Sequence, residues 1–344
     1  MERLRVGIVG CGLVAGYHAR NLLAIEGVEI VGLAEPSETN LAAFRRSVPT
    51  LADVPAFADA DALLDAVALD AVELNTPHAL HHPQVLAALD RGLHVLCEKP
   101  LACTPGQARE LAERAAASKL TVTVSYQRRV DPAYRYLHRA IAEGEIGEVQ
   151  TIAVTCGQDW QRLTVGSWRQ NPSLSGGGML MDSGSHFVDV LLWLVGRPAA
   201  AVSATVDDVG TPVDINTTAL IRFEGGAQGQ LATIGNLPAK WIETVLVSGT
   251  TGVLGYETEP QHPWRTGRLH HYRDGAIVQP LDLPDAPPSM DAAWVDAIAG
   301  RAANPAPPAV AVRIAELTDG IYRAARNRDW TDLAVEPAAI GLGE

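Results

Sequence analysis

The chain has 344 residues, 47% hydrophobic and 19% charged, which supplies apolar material for two ordinary cores rather than one. Forty acidic against 27 basic side chains leave a net charge of −13, a surface that repels nucleic acid and anionic membranes. Four scattered cysteines form no CxxC pair, no apolar run reaches the ~20 residues of a membrane span, and Met1–Arg5 lead directly into a strand, so a reduced, cytoplasmic protein is expected.

The apolar run Val6-Gly-Ile-Val9 enters Gly10-Cys11-Gly12-Leu13-Val14-Ala15, and a helix-compatible segment follows. Gly10 suits a tight turn, Gly12 has no side chain to hold a pyrophosphate off the backbone, and Ala15 lets the helix lie close to the strand. The helix start then offers free N–H groups to phosphates. Such a loop means little alone, but a second apolar strand at 28–34 ends on Glu35, roughly 20 residues past the glycines, where a carboxylate would grip the adenosine ribose. That carboxylate repels a 2′-phosphate and no arginine follows before Arg45, so NAD is expected over NADP.

Strands read at 5–9, 29–33, 71–75, 94–97 and 121–125 alternate with helical stretches such as 83–91 and 104–118. The alternation predicts a doubly wound parallel sheet, an α/β Rossmann dinucleotide-binding domain over 1–123. Ligands of such sheets bind beyond the carboxyl ends of the strands. The glycine loop, Glu35, Asn75-Thr76-Pro77-His78 and Glu98-Lys99-Pro100 therefore converge on one rim.

The pattern changes after about residue 125. A helix over 134–143 ends at Gly144, and a turn at Ile146-Gly147 leads into a strand at 149–155. Gly176-Gly177-Gly178 precedes an apolar helix at 185–195. Alternating strands follow at 201–206, 217–223, 227–235 and 243–248, with Gly225-Gly226 as a hairpin signal. The second half, 124–344, reads as an α+β domain with a largely antiparallel open sheet. Proline-rich breaks at 284–288 and 304–308 bracket short helices, and a last amphipathic helix, 313–326, is placed to pack back on the first domain.

These residues resemble the glucose–fructose oxidoreductase, inositol dehydrogenase and rhizopine-catabolism (Gfo/Idh/MocA) oxidoreductases along nearly the whole chain. The resemblance rests on Gly10-x-Gly12-x-x-Ala15-x-x-His18, Glu35-Pro36, Thr76-Pro77-x-x-x-His81, Glu98-Lys99-Pro100, Arg129-x-Asp131-Pro132, Gly144-x-Ile146-Gly147 and Gly176-Gly-Gly-x-x-x-Asp182-x-Gly184-x-His186-x-x-Asp189. Three positions depart from the common pattern: Ala15 replaces a third glycine, Glu35 an aspartate, and His78 the asparagine usual after Thr-Pro.

Most lysines are simply solvated, but Lys99 sits in a turn stiffened by Pro100 on the expected cofactor rim, and the resemblance implies that it bonds a substrate oxygen. Asp182 and His186 stand four apart, so a shared helical face would let the carboxylate orient the ring; the plain alternative is a helix-capping acid and a buried histidine. The resemblance favours a catalytic set of Lys99, Asp182 and His186, with His186 suited to accept a hydroxyl proton. The expected cofactor contacts are Gly10, Cys11, Gly12, Leu13, Val14, Glu35, Thr76, Pro77, His78, His81, Glu98, Lys99 and Gln127. On the substrate side, Trp160, Trp168 and Arg169 suit stacking and hydroxyl bonding, and Arg129 joins Lys99, Asp182 and His186, although ion-pair duty fits the arginine equally well. His78, His81 and His82 cluster without a carboxylate or cysteine set, so no metal is expected.

The expectation is an NAD(P)-dependent dehydrogenase acting on a secondary hydroxyl of a sugar, sugar derivative or inositol-like polyol, or the reverse reduction. The alternatives are a closed-cycle enzyme that keeps NAD bound (a glycosidase, epimerase or aldose–aldose oxidoreductase) and a dinucleotide sensor without activity. The resemblance also implies a homodimer or homotetramer formed through the open sheet face.

Overall fold

A computed structural model describes residues 3–259, 267–279 and 281–333; the end of the second expected domain, 334–344, lies outside the described residues. The first half builds β1 (Leu4–Val9), α1 (Leu13–Leu23), β2 (Val28–Ala34), α2 (Glu38–Ser47), β3 (Ala56–Phe57), α3 (Ala60–Ala66), β4 (Ala71–Leu74), α4 (His78–Asp90), β5 (His94–Cys97), α5 (Pro105–Ala117) and β6 (Val122–Val124). Its strands lie in the order β3-β2-β1-β4-β5-β6, all parallel. That is the doubly wound arrangement, in which ligands sit where the order reverses between β1 and β4. The central strands are near-continuous apolar runs because helices cover both faces. Val6 and Ile8 pack with Ala15, Leu22 and Phe44 on one side. Leu74, Val72, Leu63, Val85 and Leu111 fill the other.

The second half contains α6 (Pro132–Ala142), β7 (Val149–Gly157), two short helices α7 (Trp160–Leu163) and α8 (Pro172–Ser175), α9 (Ser185–Val195), β8 (Ala199–Asp207), β9 (Asn216–Phe223), β10 (Gln228–Ile234), β11 (Ile242–Gly249), β12 (Gly252–Glu257), β13 (Arg268–Arg273), β14 (Ala276–Ile277), α10 (Met290–Ile298), α11 (Pro308–Asn327) and β15 (Thr331–Asp332). The sheet order is β14-β13-β12-β11-β7-β10-β9-β8-β15. β7 and β10 run parallel, and the other described pairs are antiparallel. Helices α6, α9 and α11 cover one face. The opposite face is open: Leu220, Gln230, Ala153 and Leu246 stand in register across four strands, with Leu220 and Leu246 about half exposed.

Two segments of the second half return to the first sheet. Met290, Ala293, Trp294 and Val295 of α10 join the core of Val6, Ile8 and Leu22. Asn304 bonds the Val122 carbonyl and the Thr123 hydroxyl, and the Val124 N–H donates to the Ala306 carbonyl, so this segment extends the β6 edge. Helix α11 packs on α5, with Arg109 and Glu316 paired at 2.8 Å.

Candidate active site

The nucleotide side is built around β1, β2 and α1. Gly10 has φ +84°, and a Cβ there would stand 2.9 Å from the Asn75 carbonyl carbon and oxygen, so only glycine fits. Gly12 caps α1 without a side-chain hydrogen bond, and no atom lies within 4 Å of where its Cβ would be. That leaves open space against the free N–H groups of the first helical turn, a cradle suited to phosphate. Leu13 is exposed beside it, and Val14 is half-buried. Glu35 reaches back to this loop: one oxygen accepts the Cys11 N–H at 2.8 Å, the other the Ser37 N–H at 3.0 Å. The Cys11 thiol is buried, and burial together with Glu35 and Glu73 pushes its pKa up to about 12.

At the carboxyl end of β5, Lys99 projects toward the second domain. Its Nζ donates to Asp182 Oδ1 at 2.7 Å and to the Asp182 carbonyl at 3.2 Å. The other Asp182 oxygen accepts the indole N–H of Trp160 at 2.8 Å and Arg169 Nε at 2.9 Å. His78 completes the surround, its Nε2 3.7 Å from Asp182 and its Nδ1 bonded to the Ser175 carbonyl at 2.8 Å. Burial would raise the Asp182 pKa, but Lys99 above all, then His78 and Arg169, hold it well below the usual carboxylate range. Trp168 lies edge-on to the His78 ring, centroids 4.7 Å apart, with the Arg169 guanidinium 4.4 Å from its own centroid.

His186 lies in the first turn of α9, buried, with its ring perpendicular to Tyr126 at 6.0 Å. Burial, then the charges of Lys99 and Arg128, drive its pKa well below the ordinary histidine value. Its Nδ1 is buried and has no hydrogen-bond partner among the described residues. The ring is therefore neutral at neutral pH and within electrostatic reach of Lys99.

Several expected roles change on this geometry. Asp182 does not orient His186: the helix begins at Ser185, so Asp182 lies in the preceding turn and its carboxylate is committed to Lys99, Trp160 and Arg169. Trp160 is 2% exposed and holds Asp182 from within the core, which leaves it no face for a sugar. Arg129 pairs with Asp189 through three contacts of 2.7–3.0 Å and lies over Trp193, a structural ion pair rather than a substrate contact. His81 places Nδ1 2.7 Å from the Pro100 carbonyl and Nε2 2.9 Å from the Thr76 carbonyl, and its neutral ring donates to one of them, so it packs between two rim loops instead of facing a cofactor. Burial and His78 bring its pKa down to about 4. His82 pairs with Glu110. Thr76, Pro77 and Glu98 lie at the ends of β4 and β5, as the sheet requires. Gln127 is exposed in a cleft of about 680 Å³ with Tyr17, Asn21, Asp131 and the proline-rich 284–288 segment.

One residue of this region escaped the sequence. Asp214, from the loop before β9, accepts the N–H groups of Gly178 at 2.6 Å and Leu180 at 2.7 Å and the Tyr322 hydroxyl at 2.6 Å. It fixes the glycine-rich turn that carries Asp182. A Cβ on Gly178 would fall 1.9 Å from the Asp214 carbonyl oxygen. The signal was present only as an unexplained glycine.

A doubly wound nucleotide-binding domain is thus set against an open-sheet domain, with an ion pair and a buried histidine where they meet. The chain belongs to the Gfo/Idh/MocA oxidoreductase family: residues 4–126 match the family's NAD-binding Rossmann fold and residues 134–255 its C-terminal domain. It is 31% identical over 239 residues to an inositol 2-dehydrogenase of Saccharopolyspora erythraea, covering 68% of this chain and 66% of the relative. It is 32% identical over 199 residues to the D-glucoside 3-dehydrogenase of Escherichia coli, covering 57% and 55%. The chain thus spans between half and two thirds of the length of these relatives. Among solved structures it resembles GenD2 from gentamicin A biosynthesis in complex with NAD, with a TM-score of 0.82, 25% identity and 97% of each chain covered. No helix of the described residues is long and apolar enough to cross a membrane.

Proposed function

We propose that the chain is an NAD-dependent dehydrogenase that oxidises a secondary hydroxyl of a sugar, sugar derivative or inositol-like polyol. The observation that carries this reading is the meeting of the Lys99–Asp182 pair with the buried, neutral His186 on the rim that holds the open glycine loop. The names of the relatives, an inositol and a glucoside dehydrogenase, support the substrate class.

When bound, the nicotinamide supplies the hydride acceptor. Lys99 Nζ donates a hydrogen bond to the reacting oxygen and stabilises its developing negative charge. His186 accepts the hydroxyl proton, the role left to a neutral ring once Asp182 is committed to Lys99. Asp182 holds the lysine in place without titrating. Gly10, Gly12 and the first turn of α1 hold the diphosphate, and Glu35 takes the ribose hydroxyls. A 2′-phosphate would meet that carboxylate, which supports NAD over NADP. Trp168 walls a surface hollow of about 460 Å³ with Gln170, Asn171, Leu174 and Pro212, on the substrate side of the site. The Leu220–Leu246 row on the open sheet face supports a homodimer or homotetramer. The four cysteines, all free thiols, suit the cytoplasm.

The test is NADH formation, followed by absorbance, across sugars, inositols and sugar acids with NAD or NADP in parallel. A rise with NAD and one substrate group establishes the activity and its class. Silence across the panel, with NAD released from the denatured protein, would replace this reading by a closed catalytic cycle.

A further inference from the structure

We propose that His18 is a positioning residue of this enzyme, a buried imidazolium that fixes the Glu98 carboxylate next to Lys99, with Asp291 from the carboxyl-terminal half as its second anchor. The inference rests on the dehydrogenase reading only for the part Lys99 plays.

His18 lies on α1, 2% exposed, with three carboxylates around its ring. Asp291 Oδ1 is 2.7 Å from Nδ1, Glu98 Oε1 is 3.1 Å from Nε2, and Glu73 Oε1 is 3.7 Å from Nδ1. A neutral imidazole carries one N–H, whereas carboxylates at bonding distance from both ring nitrogens need two. The geometry therefore calls for the imidazolium. Burial opposes that charge, and Glu73 and Asp291, with Glu98, overcome it and hold the ring's pKa well above the ordinary value. Burial pushes the pKa of Glu73 itself up to about 8, against the pull of the His18 charge. Its Oε2 has no hydrogen-bond partner among the described residues, and Asn75 Nδ2 donates to its Oε1 at 2.6 Å. Asp291 is shared with Asn21 Nδ2 at 2.8 Å. The remaining charged groups on this side, Arg128, Asp131 and Asp285, line the cleft onto which His18 and Asp291 open.

The arrangement bears on turnover through Glu98. That carboxyl is 9% exposed, and although burial would raise its pKa, His18 and then Lys99 bring it down to about 2. It also feels the charge state of His186. Without His18, Lys99 is the next charge acting on the buried Glu98 carboxylate, which then pulls on Nζ against Asp182 and the substrate. A buried charge stripped of its partner is strongly unfavourable, so the lysine is drawn away.

The test uses the full-length protein with His18→Gln and Asp291→Asn variants. In wild type without cofactor, the ¹⁵N resonances of the His18 ring, assigned by their loss in His18→Gln, should show both nitrogens protonated at neutral pH and above. A neutral tautomer would overturn the proposal. In turnover, His18→Gln should lower kcat by about tenfold or more while KM for NAD changes little. In Asp291→Asn the ring loses its proton more readily, so kcat should fall as pH rises through neutrality, a limb that wild type lacks in that range. A folded His18→Gln enzyme with wild-type kcat, or an Asp291→Asn profile matching wild type, would also overturn it. If His18→Gln does not fold, the Asp291→Asn profile and the wild-type spectrum decide. If wild type reduces no NAD with any sugar, the dehydrogenase reading fails, and the spectrum still decides the state of His18.

Discussion

Asp182 accepts four hydrogen bonds from three side chains: Lys99 at Oδ1 and at the backbone carbonyl, and the Trp160 indole and Arg169 at Oδ2. The acid is therefore a fixed counter-charge, and the variable chemistry falls to its neighbours. Lys99→Ala removes the proposed oxyanion donor while leaving the glycine loop untouched; kcat should fall by about 10²-fold or more with NAD affinity nearly unchanged, read by steady-state kinetics and NAD titration. Wild-type turnover in that variant would show the assignment to be wrong. In the proposed role His186 acts as a base only while neutral, and burial, then the Lys99 charge, holds its pKa well below the ordinary histidine value. The log kcat/KM profile should accordingly stay level as pH falls through the ordinary histidine range and drop only further into acid. An acid limb centred at 6.5 or higher would assign the proton acceptor elsewhere. At this scale Lys99, Asp182 and His186 were singled out by the family resemblance, while local pattern alone offered a turn and a four-residue spacing and left their plain readings open. The sequence misjudged Trp160, Arg129 and His81 because partners depend on loop paths and rotamers set by residues far away in the chain.

The helix that carries His186 is held in place by elements on either side of it. The turn before α9 is clamped by Asp214, and Tyr322 of α11 bonds the same carboxylate. Gly178→Ala would drive a methyl group into the Asp214 carbonyl, where backbone must shift rather than side chain. A loss of about 1–3 kcal/mol, seen as a lowered Tm, is expected together with reduced kcat as Asp182 moves. A Tm equal to wild type would show that the clamp is slack. The long apolar strands and the helices α5 and α9 were legible, since burial on both faces or one leaves a clear periodicity. The helix expected from Pro83 starts instead at His78 and takes Pro83 inside it. A proline early in a helix forfeits one backbone bond, and the apolar contacts of Val85, Ala88 and Leu89 offset that loss. Helices α2, α3, α7 and α8 were missed because they are short or largely polar, with tertiary contacts rather than pattern holding them.

Over the whole molecule, one sheet is covered on both faces and the other on one. The uncovered face alternates Thr, Gln and Leu, and Leu246 stands near its middle strand. Leu246→Glu should turn an oligomer into monomers, measured by light scattering after gel filtration, with the core of each protomer intact. Monomers in the wild type, or oligomers unaffected by the glutamate, would remove this face from consideration. The two-domain plan was legible as a switch in periodicity near residue 125, but the return of α10 and of the 304–306 segment was not, because a short helix carries no address.

That return has a consequence for how the gene could be cut. The nucleotide domain as a stretch of sequence ends near residue 126, but its core is finished by Met290, Ala293 and Trp294, and its last strand is bordered by Ala306. A fragment ending at 126 would present an apolar gap beside β1 and an unpaired strand edge to solvent, and would aggregate. The domain is thus not a transplantable module. Recombination, fusion or permutation must carry both ends of the chain together.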